Sequence, residues 1–253
     1  MYRVISYKEE GNLGNTVQTL GLSHLLSPSK GVWHCKIGQD PIDADDVLVI
    51  NGWFGNYPKF KYSNDTIFCG FHLTGSEEDI EPSILSYLRE NNRTVGTRDP
   101  DTADFLNSIG INAEFVGCGS LLFPKYEGPR SGIISVDYDG PGEHITHACD
   151  TTDSWEWKWN KTKDLINKYK TAEAVYTDRL HVALPCIAMG TPVFIQDNID
   201  TRRFSILDSL NVEYNKLNTY DSEQLKNTYK LFLENELGTT LNYVEPTIPK
   251  INE

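Results

Sequence analysis

Short apolar runs and stretches of helical period take turns along this chain. Arg3–Ser6 reads as a first strand, Gly11–Gly14 as a turn, and Asn15–Leu26 as a helix with Leu20, Leu22, Leu25 and Leu26 on its apolar face. Val47–Ile50, preceded by Asp45 and Asp46, predicts a buried strand ended by the turn signal Asn51-Gly52. Further strands are expected at Thr66–Gly70, Thr94–Thr97 and Ala113–Val116. Helices are expected at Ser83–Asn91, where Glu81-Pro82 suits a first turn, and at Pro100–Ile109, ended by Gly110. The second half repeats the rhythm. Strands are expected at Gly132–Val136, His144–Cys149, Ala174–Thr177 and Val193–Ile195, and helices at Lys161–Lys170, Leu180–Met189 and Ser222–Leu237.

Strands alternating with helices predict parallel sheets with crossover helices, hence an α/β fold. The stretch Lys125–Arg130 is the expected linker. It divides the chain into two Rossmann-like domains facing a cleft: an N-terminal one over 1–128 and a small C-terminal one over 129–243, with an extended tail at 244–253. Ligands of such sheets bind outside the carboxyl ends of the strands, so the loops that follow strands should carry the chemistry.

Charge narrows the classes of partner. Thirty-six acidic against 23 basic residues give a net charge of −13. That argues against a nucleic-acid binder and against docking on anionic lipid. A compact anion is still allowed, because a pocket answers to its own few residues. No long apolar run predicts a membrane span, and the opening MYRVISYKEEGN has no apolar signal core. Five widely spaced cysteines without a CxxC pair fit reduced thiols, so a cytoplasmic setting is expected.

Four segments offer chemistry. In Tyr176-Thr177-Asp178-Arg179-Leu180-His181 a strand runs into a helix. The corner groups an acid, a guanidinium fork suited to carboxylate or phosphate, and a candidate proton donor, His181. The alternative is that Asp178 caps the helix and His181 is packed. Gly96-Thr97-Arg98-Asp99-Pro100 is a second such corner, where Arg98 is either a ligand-binding cation or a surface ion pair. Gly11-Asn12-Leu13-Gly14-Asn15-Thr16-Val17-Gln18 is a glycine-rich turn opening a helix. It could cradle an anion or a sugar through Asn12, Gly14, Asn15 and Gln18, or be only a tight turn. Glu143-His144-Ile145-Thr146-His147 lacks the spacing of a zinc motif, so His144 and His147 are read as an active-site loop rather than a metal pair. Trp155, Trp157 and Trp159, at alternate positions, are either packing or a sugar-stacking platform.

Taken together, these segments resemble the polysaccharide pyruvyl transferase family. GNLGNTVQTLGL looks like its N-terminal motif, VGTRDPDTADFLNSIGINAEFVGCGSLLF its middle motif, and AEAVYTDRLHVALPCIAMGTPVFI its third. Where the middle motif usually ends in Asp-Pro, this chain has Cys118-Gly119. The resemblance implies a GT-B-like fold and transfer of a pyruvyl group from phosphoenolpyruvate to sugar hydroxyls, giving a ketal and phosphate. The partners it implies are thus a small-molecule donor and a glycan acceptor, with no metal and no other cofactor. It implies that Arg98 and Arg179 hold the donor, with Asp178 and Leu180 beside them, and that His181 is the general acid. Arg202 or Arg203, after the last strand, could assist. Two other readings stay open: a GT-B-like glycosyltransferase using a nucleotide sugar, and an inert glycan-binding module.

Overall fold

A computed structural model describes residues 1–7, 9–37, 43, 45–54, 66–74, 80–197 and 201–251. Eleven strands and seven α-helices are assigned among the described residues. The first sheet holds β1 (Tyr2–Ser6), β2 (Lys30–Trp33), β3 (Val47–Trp53), β4 (Thr66–His72), β5 (Val95–Thr97) and β6 (Ala113–Phe115). Its order is β2-β1-β3-β4-β5-β6, and every pairing is parallel. The second holds β7 (Ile133–Val136), β8 (Glu143–Ile145), β9 (Ala174–Thr177), β10 (Val193–Ile195) and β11 (Leu217–Asn218), in the order β11-β10-β9-β7-β8. Only β11 runs antiparallel. Strand β2, strand β11 and helix α6 (Thr201–Ser209) were not anticipated by the apolar pattern.

Both orders reverse beside the first strand of their sheet: between β1 and β3, and between β7 and β9. Such switch points open a crevice at the carboxyl ends of the strands. The fold therefore offers two crevices, one per sheet.

Helix α1 (Gly14–Leu26) joins the two sheets. Its Leu22, Leu25 and Leu26 pack with Val4, Val49 and Ile67 of the first sheet, while Leu13, Val17 and Leu20 join the core of the second. Both sides of the helix are therefore buried, which is why its apolar positions run all the way round. Helices α2 (Pro82–Asn91) and α3 (Pro100–Ser108) cover the other face of the first sheet.

Helix α4 spans Trp155–Thr171, starting six residues earlier than the expected Lys161. Ser154 caps it, its Oγ accepting from the Trp157 N–H at 3.1 Å. Trp155 and Trp159, four apart, then share a buried face, while Trp157 points outward at 43% exposure. Two of the three tryptophans are thus core, and the stacking platform is not formed. Helix α5 covers Leu180–Met189, as expected.

Helix α7 (Glu223–Leu237) was grouped with the C-terminal half, yet it lies on the first sheet. Tyr229, Phe232 and Leu233 pack with Cys69 and Val116 there, and the Tyr229 hydroxyl donates to the Cys69 carbonyl at 2.8 Å. The tail follows it home: Lys250 bridges to Lys30 beside β2. Among the described residues, no helix is long and apolar enough to cross a membrane.

Candidate active site

At the first switch point the chain leaves β1 at Tyr7 and leaves β3 through Asn51-Gly52-Trp53. Gln18, one turn into α1, faces them. Asn51 Nδ2 donates to the Gln18 carbonyl at 3.4 Å, and the Tyr7 hydroxyl donates to the Asn51 carbonyl at 3.3 Å. Gly52 is required here: its φ is +105°, and a Cβ would lie 2.4 Å from the Tyr7 oxygen. Cys118 Sγ reaches Gln18 Oε1 at 3.8 Å. Burial raises the Cys118 thiol pKa, against the pull of the Arg98 charge.

Arg98 follows β5 with only 2% of its surface exposed. Its Nε lies 3.5 Å from Asp99 Oδ2, but neither Nε nor Nη2 has a hydrogen-bond partner among the described residues. Gln18 Nε2 and Asn51 Oδ1 are buried and have no partner among the described residues either. Buried polar groups are almost always satisfied, so this set points to a ligand or water. Asp99 has partners enough. Its Oδ1 caps α3 at Thr102 N (2.9 Å), and its Oδ2 meets His72 Nδ1 at 2.6 Å. Burial alone would raise the Asp99 carboxyl. The His72 bond, with the Arg98 charge, outweighs it and holds the group below the usual carboxylate range.

The second switch point is built differently. Asp137 follows β7 in the left-handed region (φ 50°). It accepts from Thr146 Oγ1 at 2.5 Å and from the His147 N–H at 3.0 Å, and its Oδ2 lies 3.3 Å from Arg179 Nε. Arg179 is the cap residue of α5, with a side chain 39% exposed, and Asp178 Oδ1 is 3.8 Å from its Nε. Asp178 does not cap the helix: Thr177 Oγ1 takes the Arg179 N–H at 2.9 Å, and Asp178 turns back to its neighbour's charge. The Leu180 side chain lies in the core.

His181, 5% exposed, sits one residue further into α5. Its Nδ1 is 3.0 Å from the Oγ of Ser120, which belongs to the 3-10 turn Gly119–Leu121 after the first sheet. Gly14 closes in beside it, since a Cβ there would stand 3.3 Å from the His181 Cβ. The segment Cys118–Ser120 therefore has the Arg98 charge acting on its first residue and His181 bonded to its last. Arg179 belongs to the same corner but directs its guanidinium to Asp137.

In the glycine-rich turn, two of the backbone donors that an anion cradle would use are already taken. Leu13 N donates to the His147 carbonyl at 2.9 Å, and Gly14 N donates to Asn12 Oδ1 at 2.8 Å. Cys149 N returns to Gly11 O at 3.1 Å, so the turn is a seam between the halves. Asn12 and Asn15 are half-buried along it, and Gln18 alone of the four reaches the first switch point.

His144 and His147 part company. His144 is exposed on β8, whereas His147 is buried with Nε2 2.7 Å from the Tyr169 hydroxyl. Burial lowers the His147 pKa to about 4. Only the fixed loop around His147 touches the site, through Asp137. The side chains of Arg202 and Arg203 lie outside the described residues.

Several residues of this region carried no signal in the sequence reading. His72 and Tyr7 end strands, Asn51 looked like a turn residue, Asp137 lay in an acidic loop, and Ser120 lay in an apolar one. Strand-end position was the available signal for the first three.

A family model for polysaccharide pyruvyl transferase matches residues 3–198. The chain belongs to the polysaccharide pyruvyl transferase family. The match spans β1 to β10 and so contains both switch points. A solved structure from Klebsiella pneumoniae subsp. pneumoniae, of a protein described as uncharacterized, superposes with a TM-score of 0.52 at 18% identity. The match covers 82% of this chain and 88% of that one. At that identity the likeness speaks for the fold alone. No curated protein matches the chain significantly. Family membership makes the chain a transferase of polysaccharide biosynthesis.

Proposed function

We propose that this transferase moves a pyruvyl group from phosphoenolpyruvate to two hydroxyls of a glycan, forming a cyclic ketal. The observation that carries the reading is Arg98, a buried guanidinium whose Nε and Nη2 have no partner among the described residues and whose charge acts on Tyr7 and Cys118, the residues that contact Asn51 and Gln18. A desolvated fork of this kind suits a carboxylate or phosphate oxygen. Arg179 is the second cation, at the mouth of the other crevice. The Leu180 N–H, at the first position of α5, is an added donor.

In the proposed step His181 protonates the methylene carbon of the enol, making it a methyl group. A sugar hydroxyl adds to the oxocarbenium-like C2, the C2–O bond to phosphate breaks, and a second hydroxyl closes the ring. Of the two hydroxyl protons, one replaces the proton His181 gave and one leaves with phosphate. The arginines stabilise charge on the departing phosphate. No metal enters the scheme. Trp53, exposed where β3 ends, offers a face for the acceptor sugar. On this reading the two sheets are the halves of a GT-B-like cleft, and the reaction is cytoplasmic, where phosphoenolpyruvate is made.

The test is phosphate release from phosphoenolpyruvate with a panel of acceptor sugars. The expectation is acceptor-dependent release that Arg98→Ala and His181→Ala remove. A thermal shift with nucleotide sugars and none with phosphoenolpyruvate would favour a glycosyltransferase instead. Glycan binding that survives both substitutions, without release, would favour an inert module.

A further inference from the structure

We propose that Ser120 is a positioning residue for the proton donor, fixing the ring and the tautomer of His181 from the opposite half of the molecule. The inference rests on the acid role of His181 proposed above.

The geometry is specific. Ser120 is fully buried, its N–H is taken by Cys118 Sγ at 3.4 Å, and its turn is held by the bond from Leu121 N to Cys118 O at 2.9 Å. The hydroxyl thus projects from a fixed backbone, within reach of the Cys118 thiol, and meets His181 Nδ1 at 3.0 Å. On another side of the ring, Gly14 stands close: a Cβ there would touch His181 Cδ2 at 3.6 Å and press on its Cβ at 3.3 Å. Ser120 and Gly14 belong to the N-terminal half, His181 to the C-terminal half. The ring is therefore set by both.

A hydroxyl is the partner a proton donor needs at the nitrogen it does not use. The charged ring donates Nδ1–H to Ser120 Oγ and carries the transferable proton on Nε2. Once that proton has left, the neutral ring keeps Nδ1–H, and the same oxygen goes on accepting it. The contact with Ser120 is made in both states, and no heavy atom of it moves. Asp99, bonded to His72, only accepts and would hold that ring's proton on Nδ1. The two histidines thus have Nδ1 partners of different kinds, a neutral hydroxyl for His181 and a carboxylate for His72.

The experiment pairs kinetics with a direct reading of the ring. Ser120→Ala should lower kcat for phosphate release by about tenfold or more, while KM for phosphoenolpyruvate stays within about twofold. Ser120→Thr, which keeps the hydroxyl, should recover most of the rate. Ser120→Val, of the same shape without it, should not. Because Thr and Val impose the same steric load, their difference isolates the hydroxyl even if Ala perturbs the fold. Independently, 15N-histidine NMR, with His181 assigned by comparison with His181→Gln, should show one neutral tautomer in the wild type and a mixture in Ser120→Ala. If wild type releases no phosphate on any acceptor, the transfer reading fails, and the tautomer measurement still decides the role of Ser120. An unchanged tautomer in Ser120→Ala, or equal rates for Thr and Val, overturns the proposal.

Discussion

The two crevices hold their arginines in opposite ways. Arg98 is buried, with open donors and a single carboxylate close by, already half engaged with His72. Arg179 is partly exposed and lies between the two carboxylates of Asp137 and Asp178. An anion reaching Arg98 gains hydrogen bonds that no described residue is making. One reaching Arg179 must share or displace an existing partner in a solvated setting, where each contact is worth less. Two residues of one type, each at a strand-to-helix corner, are thus not equivalent. The first is arranged for binding at a stability cost, the second for adjustment.

The largest effect should separate them most sharply. Arg98→Met is expected to lower acceptor-dependent phosphate release by about a thousandfold. The fold should lose little, because Asp99 keeps its bonds to His72 and Thr102 when an apolar chain replaces the buried cation and its unmet donors. Rate and thermal midpoint are measured together, and a destabilised but active Arg98→Met protein would remove the contrast.

Next in size is the response to acid, which tests whether both halves bury a neutral imidazole. Burial lowers His34 near the first crevice and His147 near the second to about 4, from 6.5. Between those values the unfolded chain binds the proton and the folded one does not. Stability is therefore full above pH 6.5 and declines as pH falls toward 4, by at most about 3 kcal/mol per group, or roughly a hundredfold. Urea midpoints at pH 7 and pH 5 should show the decline, and His147→Gln should flatten it. An unchanged slope in that variant would remove His147 from the account.

Arg179→Ala should weaken donor binding by about tenfold, less than Arg98→Met does, and the Arg179 contribution should fade as salt rises. Calorimetric titration at two ionic strengths checks this. Equal losses for the two arginines would erase the comparison. The smallest effect is expected for Gly14→Ala. Its Cβ would meet Asn12 Oδ1 at 3.1 Å and the His181 Cβ at 3.3 Å, so the ring shifts slightly and kcat falls by roughly threefold.

Much of this was legible before any coordinates. Apolar runs located most of the strands because a buried parallel strand is apolar on both faces. The corners at Arg98 and Arg179 were found because strand-to-helix junctions are short in sequence. What escaped depended on contacts between distant segments. Alternating tryptophans concealed the start of α4, since period two and a helical i,i+4 pair share the positions 155 and 159. The glycine-rich turn read as a possible cradle because nothing in its own letters says that His147 and Cys149 consume its hydrogen bonds. Ser120 was invisible for the same reason: its partner lies 61 residues away.

Helix α7 carries a last consequence. Family likeness ends at residue 198, but Gly96 and Gly70 of the first sheet are pressed from outside by aromatic rings supplied long after it. A Cβ on Gly96 would lie 2.7 Å from Phe232, and one on Gly70 3.0 Å from Tyr229. Those two glycines are moulds for a helix beyond the matched region. A chain cut at residue 198 would keep every inherited motif and lose one wall of its first core. The span that records ancestry and the span that can fold are therefore different lengths.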